Sequence, residues 1–479
     1  MKSSKAATLI VLCGYLALTV SEGKSQDHFS VGDYGRTVTI SEASLNNMMT
    51  RLEALEASIA DNAEEGGWED VSQEKWKVKW GGRVMLDSVN WVGQDPGYGG
   101  TNRGQNYLEM RRARFRAEGE GYGIYFWQME LDFAADDDSG AQYNAGSPHG
   151  GITHVINVGP VVEMKDVYVG VNDIPLLGTV LIGHFKGPFS MEELSSSRHI
   201  TFLERALPNY FVAGREVGIA AYNRSACENV LWGFGVFADG VPESTKQIVD
   251  HNIGTQVVGR VTWTPYYDEP SDGRYLLHLG AGFRHVQDRD GMYNLRVRPE
   301  THESIRVIDF DGDNDRANHH TVYNAEMAWV HGPFSIQAEG FVDVVDVVGV
   351  GNTNAYAAYA QATYFLTGEN RVYKRSRGTF SRVTPHTNFW LARGAGIGPG
   401  AWELKARWSY MDVDNLYAAG FTGDTNENAE QVNNLAVGFN WYWNPYTRMM
   451  FDYWHSWNER PGLVADNADL IGMRMQYDF

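Results

Sequence analysis

The chain ends Ile471-Gly472-Met473-Arg474-Met475-Gln476-Tyr477-Asp478-Phe479. In an extended strand successive side chains point to opposite faces, so Ile471, Met473, Met475, Tyr477 and Phe479 share one face, and Arg474, Gln476 and Asp478 the other. An apolar face ending in two aromatic rings, opposite a face of charges and amides, is expected of a strand with lipid on one side and a polar interior on the other. Many short strands imitate that pattern, so its weight depends on whether the rest of the chain repeats it.

It does. From Lys75 onward the periodicity is two, in segments of roughly ten residues, the length a tilted strand needs to cross a bilayer. We read 16 of them, beginning near residues 76, 106, 122, 163, 177, 211, 228, 252, 274, 319, 333, 355, 401, 432, 446 and 467. Trp402, Leu404, Ala406, Trp408 and Tyr410 oppose Glu403, Lys405, Arg407 and Ser409. Leu435, Val437, Phe439 and Trp441 oppose Ala436, Gly438 and Asn440, and Tyr323, Ala325, Met327 and Trp329 oppose Asn324 and Glu326. Alternation alone also fits a soluble sandwich. Aromatic-ended apolar faces in nearly every segment, with no helix left to cover them, favour an all-β, 16-stranded antiparallel transmembrane β-barrel over residues 75–479. An even count returns both ends to one side. Connections mostly alternate short and long, except that Gly368 to Gly400 falls on the short side yet is long and basic, with Arg371, Lys374, Arg375, Arg377 and Arg382. Either the strand count slips there or this turn is elaborated.

Ahead of the barrel, Lys2 and Lys5 precede an apolar run from Ala6 to Val20 and then polar residues to Gln26, the anatomy of a signal peptide over 1–26. Cys13 lies inside the apolar run, too early for a lipoprotein cleavage site. Residues 27–74 read as a periplasmic polar segment in which Leu45, Met48, Leu52, Leu55 and Ile59 carry heptad spacing. A lone amphipathic helix and a small coiled coil joining protomers both fit; Asp61 to Glu74 follows as a linker. With only Cys227 left after cleavage, no intrachain disulfide can form.

Of 479 residues 43% are hydrophobic, mean hydropathy is −0.37, and no apolar run reaches a helical membrane span. The 52 Gly, 25 Tyr, 15 Trp and 21 Phe suit strands, tight turns and aromatic girdles. Net charge is −20, near −22 once Lys2, Lys5, Lys24 and Glu22 leave with the signal, which argues against nucleic acid as a partner. The 14 His form no HExxH and no GxSxG occurs, so no hydrolase is signalled. Asp309 to Asp315 is a poor calcium loop, with Asn314 at the glycine position and His320 where a glutamate belongs.

The chemistry concentrates in Arg111-Arg112-Ala113-Arg114-Phe115-Arg116. As a strand it turns Arg112, Arg114 and Arg116 inward, a row of permanent cations that lowers the barrier for an oxyanion. The alternative is that they pair with Gln128, Glu130 and Asp132 of the next strand; the two can coexist. Arg260, Arg284, Lys405 and Arg407 are further inward-facing bases, and the acidic majority is expected largely in outer loops.

Gly183-His184-Phe185-Lys186-Gly187-Pro188-Phe189-Ser190-Met191-Glu192-Glu193-Leu194, with Arg198 and Phe202-Leu203-Glu204-Arg205, resembles the signature of the phosphate-selective porin O and P family. Leu108 to Gly119, Asn324 to Trp329 with Gly332 to Ser335, and Phe365 to Glu369 are similar to it too. The resemblance implies a homotrimeric porin of the bacterial outer membrane, without cofactor, whose segment from about Gly187 to Tyr210 narrows the lumen. It puts Lys186, Arg198 and Arg205 in or beside that constriction. The terminal strand ending in Phe479 resembles the one that outer-membrane assembly machinery recognises. Passive diffusion of small anions such as phosphate or polyphosphate is the leading expectation. A general or sugar-type porin, with Tyr168 and Tyr359 along the path, is the first alternative. A secreted soluble carbohydrate-binding β-protein is the second and a barrel enzyme the third.

Overall fold

The computed structural model describes residues 76–98, 104–134, 162–239, 254–287, 291–310, 315–391, 393, 397–422, 429–460 and 465–479, and the backbone of 28–33 and 36–41. The signal peptide and the heptad residues lie outside these. His28–Asp33 and Arg36–Ser41 pair as an antiparallel hairpin.

Sixteen antiparallel strands close into a barrel. They are β1 (Trp76–Gln94), β2 (Tyr107–Gly121), β3 (Tyr125–Asp132), β4 (Glu163–Ile174), β5 (Gly178–Lys186) and β6 (Arg215–Arg224). Next come β7 (Val230–Asp239), β8 (Gly254–Tyr267), β9 (Tyr275–Gln287), β10 (Ala317–His331) and β11 (Phe334–Val347). The last are β12 (Gly351–Phe365), β13 (Ala401–Asp412), β14 (Gln431–Asn444), β15 (Thr447–Glu459) and β16 (Asp466–Asp478). Burial follows the pleat. Along β11 every second side chain, from Ser335 through Glu339 to Val347, is buried inside, while Phe334, Ile336 and Val342 are on the outer face. A closed barrel leaves no open sheet edge, which is what lets strands sit in lipid.

The quoted C-terminus closes the ring. β16 pairs with β1, Arg474 opposite Asp87, and Phe479 exchanges backbone hydrogen bonds with Gly82 (2.9 and 3.1 Å). A Cβ at Gly82 would stand 2.4 Å from the Arg114 carbonyl oxygen and 2.5 Å from the Phe479 ring. Gly82→Val is therefore expected to lose at least about 1–3 kcal/mol through overpacking of the closing seam. A reduced fraction of the compact, heat-modifiable band on unheated gels checks it.

The turn rim is tight where the chain allows: Tyr122 and Gly123, both with positive φ (53° and 73°), reverse β2 into β3. The exception is 366–400, between β12 and β13. The strand count holds and this turn is elaborated, its halves going to different places. Arg371 reaches Gln337 of β11 (2.9 Å) and lies over the Phe380 ring. The Tyr373 hydroxyl meets His278 of β9 (2.6 Å), and Arg260 of β8 donates to the Gly378 carbonyl (2.9 Å). These partners face the interior, so 371–380 occupies the turn-side mouth. Further on, the Phe389 amide donates to the Trp443 carbonyl (2.7 Å) and its ring packs on Trp441, on the outer face of β14. On the opposite, loop side, residues 291–310 and 413–422 fold inward, burying Tyr293, Ile308, Phe310, Leu416 and Phe421 with Phe202.

Candidate functional site

Between β5 and β6 the chain leaves the wall and crosses the lumen. Ser190 caps a single helical turn, Met191–Leu194, and the amides of Met191 and Glu192 donate to the Glu339 carboxylate of β11 (3.1 and 2.8 Å). Further along, backbone carbonyls are gripped by cations of the far wall. Arg448 holds Ile200, Lys405 holds Thr201, Arg474 holds Leu203 and Arg407 holds Glu204, at 2.6 to 3.1 Å. Arg83 of β1 donates to Ser196 and Ser197. Buried carbonyls need donors, and charged donors are the strong ones, so the wall's basic residues act here as a clamp on the constriction. Arg205 turns back on carbonyls of its own segment, those of Glu192, Glu193 and Ser195. Its guanidinium also pairs with the Glu193 carboxylate (3.2 Å), as does Lys186 (2.6 Å).

Arg112, Arg114 and Arg116 do point inward, and the pairing alternative is realised alongside. Arg114 bridges Asp132 (2.6 Å) and Glu130 (3.2 Å) of β3, while Arg116 pairs with Glu118 of its own strand. Arg260 pairs with Glu326 (2.6 Å), Lys405 with Asp452 (2.6 Å) and Arg407 with Glu300. Arg284 donates to Gln256 (2.8 Å) and lies 3.4 Å from Asp239. Tyr359 is held by Glu339 and Gln337, and Tyr168 by Gln128. The expectation that acidic residues stay in outer loops is corrected: Asp87, Glu130, Asp132, Glu326, Glu339, Glu403 and Asp452 are buried on the inner wall. Segments folded into the barrel exclude water, and a buried cation without a counter-charge is too costly to keep. Asp309 pairs with Arg296 and Arg306, and 311–314 lie outside the described residues.

Sequence reasoning missed several groups. The register of β1 and β2 slips between Met85/Arg112 and Leu86/Met110, a bulge that turns Arg111 inward as well. Arg111 (2.8 Å), Arg474 (2.7 Å) and Arg112 (3.5 Å) converge on one carboxylate, Glu204 of the constriction. Although burial pushes Glu204 up, these three charges hold it well below the usual carboxylate range.

On the turn side of the constriction the balance differs. His199 lies among Arg198, Arg382, Arg448 and Arg83; burial and these charges keep it well below the usual imidazole value, so it is neutral at pH 7. Lys374 lies near Arg377, Arg116 and Glu118. Among the described residues Glu118, Glu130 and Asp478 pair with members of this group, and no carboxylate reaches ion-pair distance of Arg198 or Arg448. Buried nitrogens of Arg116 and Arg448 lack hydrogen-bond partners. The sequence signal for Arg382 was the basic turn, which carried no position until it folded.

Glu193 is pushed up by burial but held at about 2 by Arg205 and Lys186. A carboxylate depressed in the folded state contributes stability above its unfolded value of about 4.3 and loses it as pH falls through the folded one. Burial raises Glu192, so it protonates first. Constriction docking, read as single-channel conductance, is accordingly expected to hold from pH 7 to about pH 4 and to fail only as pH nears 2.

Porin O of Pseudomonas aeruginosa is 25% identical over 446 residues, covering 86% of this chain and 91% of its own length. An uncharacterized protein of Caulobacter vibrioides is 28% identical over 421 residues, 83% of this chain and 73% of its own. Among solved structures, the trimer form of OmpT from Vibrio cholerae aligns at TM-score 0.46 with 10% identity, over 85% of this chain and all of that one. An anion-selective porin from Comamonas acidovorans aligns at 0.45 with 11% identity, over 84% of this chain and all of that one. Residues 78–479 match the family described as phosphate-selective porin O and P, and the chain, an outer-membrane β-barrel porin, belongs to that family.

Proposed function

We propose that the barrel passes small hydrophilic anions, phosphate and its polymers among them, by passive diffusion. The observation that carries the reading is the turn-side vestibule, where Arg83, Arg116, Arg198, Arg382 and Arg448 outnumber the carboxylates beside them. An anion entering there exchanges water for guanidinium donors, first that of Arg198, which no carboxylate among the described residues pairs with, loosely enough to leave again. Membership of the family and the likeness to porin O support it. The wall bases first read from the sequence, Arg260, Lys405 and Arg407, act by fixing the segments that narrow the path.

Three such barrels associate in our reading, exported by residues 1–26 and inserted through recognition of the strand ending in Phe479. Planar-bilayer recording tests the proposal. A KCl gradient is expected to give a reversal potential on the chloride side, and phosphate to reduce chloride conductance at lower concentration than an oligosaccharide does. A potassium-side reversal, or block by the oligosaccharide first, would replace it by a general or sugar-type porin.

A further inference from the structure

The outer half of the turn between β12 and β13 packs outside the barrel wall. Thr384, Pro385, His386, Thr387 and Asn388, with Ile397 and with Pro445 of the next turn, enclose an open cavity of about 310 Å³. That is at the lower end of the roughly 300–1,000 Å³ of small-molecule sites. Among the described residues its lining offers two hydroxyls, an amide and an imidazole, and no fixed charge.

Immediately beyond, the chain lies on the outside of the barrel. Phe389 packs against Trp441 and Trp443 at ring distances of 4.7 and 5.7 Å. Trp402 stacks on Trp441 at 4.9 Å, and both indoles donate to the Pro399 carbonyl (3.1 and 2.8 Å). Trp402 and Trp441 stand on the outward faces of β13 and β14, continuous with Leu404 and Phe439 of the lipid-facing belt. Here Trp390, Leu391 and Ile397 are 59, 51 and 93% exposed. Apolar surface of this kind marks an interaction site, and indoles concentrate at the level of lipid headgroups.

We propose that this cavity binds the headgroup of a zwitterionic phospholipid from the turn-side leaflet, while Trp390, Leu391 and Ile397 lie against its acyl chains. The hydroxyls of Thr384 and Thr387 and the amide of Asn388 donate to phosphate oxygens. With no lysine or arginine in the lining, a headgroup that carries its own cation is favoured over an anionic one. The continuity of the exposed trio with the lipid belt selects a membrane lipid over a protein partner.

Native mass spectrometry of the full-length protein, equilibrated with equal phosphatidylethanolamine and phosphatidylglycerol, reads the site directly. One phosphatidylethanolamine is expected to stay on each chain, several-fold over phosphatidylglycerol, and Thr387→Val with Asn388→Leu is expected to reduce it at least fivefold with single-channel conductance unchanged. Equal retention by the double variant, or preference for phosphatidylglycerol, would overturn the assignment. A second measurement does not depend on that variant. The emission lost in Trp390→Phe should be quenched in wild type by brominated phosphatidylethanolamine. Quenching by aqueous acrylamide alone, or by neither agent, would place Trp390 in water or in a subunit contact and reject the site.

Discussion

Arg474→Met is expected to be the most damaging single substitution in the barrel wall, lowering stability by about 3–5 kcal/mol, the usual cost of removing one partner from a buried ion pair. Arg474 is fully buried and holds both oxygens of Asp87 at 2.6 Å across the β16–β1 seam. It also donates to the Leu203 carbonyl (2.6 Å) and pairs with Glu204 (2.7 Å). Its loss strands Asp87 at the seam and loosens the constriction together. The midpoint of urea unfolding in detergent, followed by tryptophan emission, measures the first effect; open-channel noise measures the second. Adding Asp87→Leu should recover most of the stability, because it removes the stranded carboxylate while Glu204 keeps Arg111 and Arg112, and replacing a whole buried pair is often neutral. Failure of that rescue would mean that Arg474 acts through packing.

The largest effect on permeation is expected from Arg198→Glu. Reversing one charge changes the local field by two charge units, roughly 2–7 kcal/mol at about 5 Å with an effective dielectric of 20 to 80. Water and salt in the pore screen much of this, leaving on the order of a tenfold fall in the chloride-to-potassium permeability ratio. Arg224→Glu, at a half-exposed arginine paired with Glu228 on the rim, should leave the ratio unchanged. Equal shifts in the two variants would show that the overall charge of the mouth, and not the vestibule, selects the ion.

Strand starts were legible because each strand has one lipid face and one interior face, and that contrast is written in neighbouring residues. β1, β4, β13 and β16 begin within a residue of expectation. The arginine strand shows where local reading stops. Ala113 and Phe115 disclose the inward direction of Arg112 and Arg114, but the extra residue that turns Arg111 inward exists only in the pairing with β1. Glu130 and Asp132, in phase with Gln128, did reveal the partners of Arg114. Glu204 and Glu300 could not be matched to their cations, nor Glu339 to the amides of Met191 and Glu192, since those contacts join segments about a hundred residues apart or more. The basic turn after β12 was visible in composition and mute in position, because its placement depends on cavities made by other strands.

That turn has a consequence for how the chain reaches its final form. Its inner half docks on Arg260, His278 and Gln337, which belong to β8, β9 and β11, and its outer half docks on Trp441 and Trp443 of β14, made later. The inner anchor uses strands that precede the turn and the outer one a strand that follows it, so both are seated only when strands on both sides stand together. Contacts so distant in sequence form late. Residues 366–400 therefore work as a latch in time, seated only on a wall that has already been assembled correctly.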